Sequence, residues 1–284
     1  MKPRTKAAFP DGHFYSPVVD TADVVAREAE IWPAAPEILG IEWNREHHET
    51  VLGEYFPRHL PQYDYPETLP DTPDLDRFYT RNSQFSWLDS RSLFVLLSEW
   101  KPKRMVEVGS GYSTLLTADV SRRQFDRAMD FTCIEPYPRP FLRKGTLPGV
   151  TRLLQQRVEH VGLEPFLRLG AGDVLFIDSS HVAKTGSDVN FLFFEVLPRL
   201  APGVRIHVHD IHLPREYPRE WVIGENRSWN EQYVLRALLM YSTAFRVLFG
   251  CSWAFHTMPE AVRKALAHPR GVLYGGGSLW LERT

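Results

Sequence analysis

The apolar positions of this chain follow two regimes. From about residue 86 onward, short apolar runs alternate with stretches of helical period, whereas residues 1–84 carry short amphipathic pieces broken by prolines. The second regime opens with SWLDSRSLFVLLSEW, whose apolar residues at 93, 94, 96, 97 and 100 form one broad helical face that stops before Lys101-Pro102. MVEV (105–108) then reads as a buried strand, followed by a helix to about Arg122 and the strand FTCIE (131–135). Next come a helical turn near PRPFLRK, the strand TRLLQQ, a helix near GLEPFLRL, the strand VLFID (174–178), the helix SDVNFLFFEVLPRL and the strand VRIHVHD (204–210). Alternation of this kind predicts an α/β domain, a mostly parallel sheet with right-handed crossovers and helices on both faces. A helix NEQYVLRALLMYS, a strand FRVLFG, a proline-bounded helical stretch and a closing strand SLWLER complete the domain, assigned to residues 85–284.

Residues 1–84 read as an irregular helical extension, because prolines at 3, 10, 17, 33, 36, 57, 61, 66, 70 and 73 punctuate pieces such as TADVVAREAEIW and REHHETVLGEYF. Within it GHFYSP (Gly12–Pro17) is a polar-aromatic cluster. It either folds over a pocket as a lid, with His13 and Tyr15 facing a substrate, or packs its aromatics on the domain.

The stretch MVEVGSGYST (105–114) joins a strand to a helix through a glycine turn. Glycines let the backbone approach a ligand and the helix N-terminus offers it unpaired N–H groups, so Gly109, Ser110, Gly111 and Ser113 are candidate cofactor contacts. Glu107, at the strand tip, is expected to meet a ligand's ammonium group. Glu135 ends the next strand, 24 residues after Gly111, where an acid can bond both hydroxyls of a ribose; Pro136, next to it, is a further candidate cofactor contact. Dinucleotide-binding folds use the same devices, but their third close-packing glycine is replaced here by Thr114. The E-x-G-x-G of Glu107–Gly111 resembles motif I of the class I S-adenosylmethionine (SAM) dependent methyltransferases. That resemblance implies a Rossmann-like, seven-stranded sheet, with the last two strands at its antiparallel end, and SAM as cofactor. GHFYSP segments also occur at the start of bacterial proteins that this chain resembles.

Ligands in open α/β sheets bind outside the carboxyl ends of the strands, and acid and imidazole groups from VLFIDSSH and VRIHVHDIH gather there. Asp178 ends VLFI, with His181 three residues later, and Asp210 ends the next strand, flanked by His207, His209 and His212. An acid closing so apolar a strand points to function, since burying it unpaired is costly. Two carboxylates with imidazole nearby suit a divalent ion. The arrangement resembles the metal site of catechol-type and caffeoyl-CoA-type O-methyltransferases. On that resemblance Asp178 and Asp210 match the metal acids, Ile211 stands where those enzymes have an amide, and His181 stands where they have a basic lysine. His209 or His212 is then the candidate replacement ligand, and Mg, Mn or Fe the candidate ion. A D-x-x-H like Asp178–His181 also occurs in a cephalosporin-hydroxylase-like branch. His181 is read either as general base, with Asp178 beside it, or as a metal ligand. His207 alternates with apolar neighbours and reads as a core histidine. Asn230 reads as a helix N-cap, with Trp229 and Glu231 as candidate walls of the acceptor pocket.

With 284 residues, 43% hydrophobic and 13% aromatic, the chain has ample material for a large core, and its formal charge of −2 gives no footprint for nucleic acid or an anionic membrane. Two cysteines, Cys133 and Cys251, read as core residues of a cytoplasmic protein rather than a metal cluster or disulfide. No apolar run suits a membrane span or a signal peptide. The expected partners are a small-molecule substrate and a second copy in a homodimer. These observations together predict a SAM-dependent methyltransferase, metal-assisted and acting on a hydroxyl. The alternatives are a metal-dependent oxygenase or hydroxylase-like enzyme on the same scaffold, and a non-catalytic SAM-binding module.

Overall fold

The central strands are buried on both faces, as strands between two helical layers are. These are β1 (Arg104–Val108), β4 (Val174–Ile177) and β5 (Arg205–Val208). The computed structural model describes residues 6–70, 75–85, 87–125, 128–143, 147–267 and 275–284. With β2 (Asp130–Ile134), β3 (Arg152–Leu154), β6 (Phe245–Gly250) and β7 (Leu279–Arg283) they form one seven-stranded sheet in the order β3-β2-β1-β4-β5-β7-β6. β1 to β5 are parallel, and β7 inserts antiparallel between β5 and β6. The chain runs outward from β1 in both directions, so the crevice between β1 and β4 is the switch point at which such sheets bind ligands.

Strand alternation divides the core in two. On one face Met105, Phe131, Cys133 and Phe176 pack with Leu93 and Leu97 of α1 (Trp87–Trp100) and Leu115 and Leu116 of α2 (Tyr112–Gln124). On the other face Val106, Val108, Leu175, Ile177, Ile206 and Val208 pack with Val189, Leu192 and Leu235, the last from α3 (Glu231–Leu239). His207 falls on the first face as a core histidine: its ring stacks 3.8 Å from Phe176, Nε2 meets Ser278 Oγ at 2.9 Å, and burial pushes its pKa well below the usual range. Cys133 and Cys251 are free and buried.

Residues 44–65 are less separate than the proline pattern suggests. The amphipathic piece is helical, as Arg45–Thr50, Val51–Tyr55 and Phe56–His59 in succession, and inserts Val51, Leu52 and Phe56 into the first core cluster. Fully burying one such side chain contributes about 2–3 kcal/mol. His48 is wholly buried; its Nε2 accepts from Gly250 N at 2.8 Å, and burial pushes its pKa down to about 4. Residues upstream dock differently. Thr21–Ala26, capped by Asp20, and Glu28–Ile31 lie against the loop after β5. There Val19 N donates to Ser228 Oγ (3.0 Å), Trp32 Nε1 to Tyr217 O (2.9 Å), Arg215 to Ala34 O (2.9 Å), and Arg219 pairs with Glu28 (2.6 Å).

Elsewhere the boundaries shift. The helix expected near 162–169 is the short turn Glu164–Leu167, preceded by another, Val158–Val161, from which Gly162 at φ +80° divides it. The one at 230–242 ends at Leu239, before Tyr241 turns to positive φ. The stretch after β6 is α4 (Cys251–Thr257) and α5 (Pro259–Leu266).

Candidate functional site

The turn after β1 is held against the neighbouring strand tips by main-chain bonds, Gly109 N to Ile134 O and Asp178 N to Val108 O, both 2.9 Å. Gly109 sits at φ +78°, and a Cβ there would lie 1.8 Å from the Asp178 carbonyl oxygen, so only glycine lets β1 and β4 exit side by side. Glu135 bridges the two loops, accepting from Ser110 N (3.1 Å) and Tyr137 N (2.7 Å). Two adjoining cavities share Gly109, Glu135, Tyr137 and Asp178. One, about 390 Å³, is walled by Ile134, Pro136 and Val158; the other, about 220 Å³, lies over Gly109–Ser113 with Phe85 and Arg139.

Glu107 departs from expectation. As the fourth residue of β1 its side chain points to the α1/α2 face, where it is fully buried and accepts from Ser113 Oγ (2.7 Å) and Thr114 Oγ1 (2.6 Å). Burial pushes its pKa up to about 7, with the two hydroxyls opposing. Glu107 therefore braces the turn from beneath, and Ser113 spends its hydroxyl on that brace. Thr114 joins both sides by also accepting from Gly111 N at 2.9 Å.

The acids at the tips of β4 and β5 converge. Asp178, His181 and Asp210 each offer a ligand atom, and these atoms lie within 4.8 Å of one another. His181 Nε2 is 3.4 Å from both Asp178 Oδ1 and Asp210 Oδ2. Its Nδ1 faces Glu231 Oε2 at 2.8 Å, and the other Glu231 oxygen accepts from Ser179 Oγ at 2.9 Å. An ionised carboxylate only accepts, so Nδ1 carries the hydrogen and Nε2 presents its lone pair to the aspartates when the ring is neutral. Burial opposes charge on His181, but the hydrogen bonds to Asp178 and Glu231 and the field of Asp210 outweigh it and hold its pKa well above the ordinary value. Burial pushes Asp210 up, while His209 and His181 overcome burial to hold Asp178 down. His181 and Asp210 both have positive φ, +61° and +56°, as do Asn44, Lys101, Tyr241 and Ala267 elsewhere in the fold. The main chain around them is tied in: Asn230 N and Glu231 N donate to His181 O, and Ile211 N to Gly277 O. Asp89 in turn accepts from Gly277 N and Ser278 N, so α1 backs the Asp210 loop.

Among the described residues, neither His209 nor His212 joins this group. His209 Nε2 reaches Asp210 Oδ1 at 3.5 Å from the side, and the His212 ring lies against Trp221 (5.2 Å), with burial pushing its pKa down to about 3. Glu231 is buried behind His181 instead of walling an acceptor pocket, whereas Trp229 does border the group, 4.2 Å from the His181 ring. Asn230 caps α3 through its main chain and uses its side chain on Ala183 N (2.6 Å). His13 and Tyr15 stack with Phe9 and Phe14 in a largely exposed cluster.

Residues 106–211, from β1 to the loop after β5, match the family profile of a methyltransferase domain. A protein of Archaeoglobus fulgidus, described as uncharacterized, is 36% identical over 164 residues, 56% of this chain and 72% of that protein. The chain belongs to this methyltransferase-domain family. Its sheet order and glycine turn are those of the Rossmann-like class I fold, and the domain is that of a SAM-dependent methyltransferase. Among solved structures, the S-adenosylhomocysteine (SAH) bound methyltransferase PaMTH1 of Podospora anserina overlaps 93% of this chain and 95% of its own (18% identity, TM-score 0.43). The O-methyltransferase TomG of Streptomyces achromogenes, solved with SAM, overlaps 93% and 96% (14% identity, TM-score 0.40). Likenesses this distant assign no ligand. In the methyltransferase domain the residues that sequence reasoning missed are Arg139, Tyr137 and Asp89; none lies in a motif, and no local pattern marks them. Among the described residues, no helix is long and apolar enough to cross a membrane.

Proposed function

We propose that this protein transfers the methyl group of SAM to a hydroxyl of a small molecule, with a divalent ion held by Asp178, Asp210 and His181. The observation that carries the reading is the convergence of those three ligand atoms within 4.8 Å, beside the cavities of the glycine turn. Two hard carboxylates and one borderline imidazole fit Mn²⁺ or Fe²⁺ well and Mg²⁺ less well. A bound ion would lower the pKa of the acceptor hydroxyl and orient it.

The protein's own groups do the rest. Glu135, between the two cavities, accepts from the ribose hydroxyls, and the turn over Gly109–Ser113 holds the methionyl part, so the sulfonium methyl is aimed at the β4 and β5 tips. Trp229 closes the acceptor side. His181 serves as ligand rather than base: its Nε2 stands 3.4 Å from both aspartates while Nδ1 is taken by Glu231, and binding an ion there would require the imidazole to give up the proton that the surrounding carboxylates favour. Glu231 fixes its Nδ1–H and thereby aims Nε2 at the aspartates.

The test is methyl transfer assayed by product mass over a panel of phenols and other hydroxyl compounds, before and after exhaustive EDTA treatment. A product heavier by about 14 Da, lost on chelation and restored by Mn²⁺ or Fe²⁺, is expected from metal-assisted methyl transfer. A rate untouched by chelation removes the ion, and a gain of about 16 Da with dioxygen consumption replaces methyl transfer by oxygenation.

A further inference from the structure

The 220 Å³ cavity over the glycine turn contains a cation that neither the fold nor the acid cluster explains. Arg139, in the loop after β2, lies with its guanidinium carbon 4.8 Å over the Tyr112 ring and donates from Nη2 to Gln84 Oε1 at 2.6 Å. Its Nε is the group nearest to the space a Gly111 Cβ would fill, at 3.9 Å, so the guanidinium stands directly above the turn. Among the described residues it meets no carboxylate: the ring and the amide fix its plane, while most of its five N–H donors remain unspent.

The two cavities differ in kind, which sets the direction of a ligand spanning them. Glu135 stands at their junction, the place for a ribose. The larger cavity offers an apolar wall of Ile134, Pro136 and Val158 on which a flat base can lie, with Arg157 and Lys184 among its charged lining residues; the smaller offers Arg139 over the turn and the start of α2, suited to an anion. On the reading that SAM is the cofactor, we infer that Arg139 binds the α-carboxylate of its methionyl group and so sets how deeply the sulfonium enters. Tyr112 and Gln84 pre-orient the guanidinium for a two-pronged contact. Arg139 is thus a cofactor-selecting residue: it separates SAM and SAH from nucleosides that lack the amino-acid tail.

Calorimetry and competition with two probes test this. SAH carries the carboxylate; 5′-methylthioadenosine has the same nucleoside and thioether without it. Arg139→Gln should weaken SAH by about 10- to 100-fold and leave methylthioadenosine within about twofold, with Arg139→Lys recovering part of the loss. If both probes weaken alike, Arg139 only supports the loop, and if SAH binds the variant as tightly as the parent, the carboxylate lies elsewhere; either result overturns the assignment. Failure of the parent protein to bind either probe overturns the SAM reading itself, a result distinct from the other two.

Discussion

Glu231→Gln is the sharpest probe of the acid cluster, because it changes one charge and almost no volume behind the imidazole proposed to hold the ion. Glu231 is 1% exposed, and its two oxygens are each matched to one donor, His181 Nδ1 at 2.8 Å and Ser179 Oγ at 2.9 Å. Glutamine offers one acceptor and one NH2 group. If its oxygen faces His181, the bond survives but loses charge assistance, roughly half its strength. If its NH2 faces His181, the ring must carry its hydrogen on Nε2, the atom 3.4 Å from both aspartates, and the ligand lone pair is lost. Loss of such an outer partner typically costs about 10- to 100-fold in metal affinity, or ~1.4–2.7 kcal/mol. The assay is Mn²⁺ titration of the purified variant, followed by calorimetry or electron paramagnetic resonance. SAH affinity should stay within about twofold, since Glu231 borders neither cofactor cavity. An unchanged Mn²⁺ affinity would refute the reasoning, because a carboxylate that fixed a ligand's tautomer could not be neutralised without effect.

Two further outcomes follow from the geometry. Gly109→Ala should weaken SAH binding by more than about tenfold and destabilise the fold by at least ~1 kcal/mol, through its positive φ and the 1.8 Å approach to Asp178 O; calorimetry and urea unfolding read both, and parental values would contradict the close approach. His48, depressed from 6.5 to about 4 when folded, contributes stability that is complete above pH 6.5 and is lost as pH falls toward 4, a change of about 3 kcal/mol, so urea unfolding at pH 7.5 and pH 4.5 should show a smaller loss for His48→Gln than for the parent.

The sheet was legible because its strands are continuous apolar runs ended by glycine or acid, a pattern that needs no tertiary knowledge. Asp178 and Asp210 were legible for the same reason, as charges at the ends of strands that have no other use for them. Direction was not. Nothing in MVEV says which face Glu107 takes, and in the fold it points away from the cavity, into the layer that holds Ser113 and Thr114. Pairings across long separations were equally hidden: Glu231 meets His181 from 50 residues away, and Asp89 reaches Ser278 from 189. The sequence pattern offered His209 and His212 as metal ligands by proximity in the chain, but His209 meets Asp210 only from the side and the turn after β5 carries His212 against Trp221. The prolines before residue 84 concealed the core role of Val51, Leu52 and Phe56, since a broken amphipathic pattern does not announce its partner.

Residues 19–34 are fastened to the loop that follows β5, through Ser228, Tyr217, Arg215 and Glu28–Arg219, and that loop also delivers Trp229 to the acid cluster. The two cavities at the glycine turn are built instead from the segments after β1, β2, β3 and β4, with Gln84 and Phe85. Variation is thereby partitioned. On the function proposed above, substitutions in the leading segment would reshape the acceptor side, through the loop that carries Trp229, and leave the glycine-turn cavities unchanged.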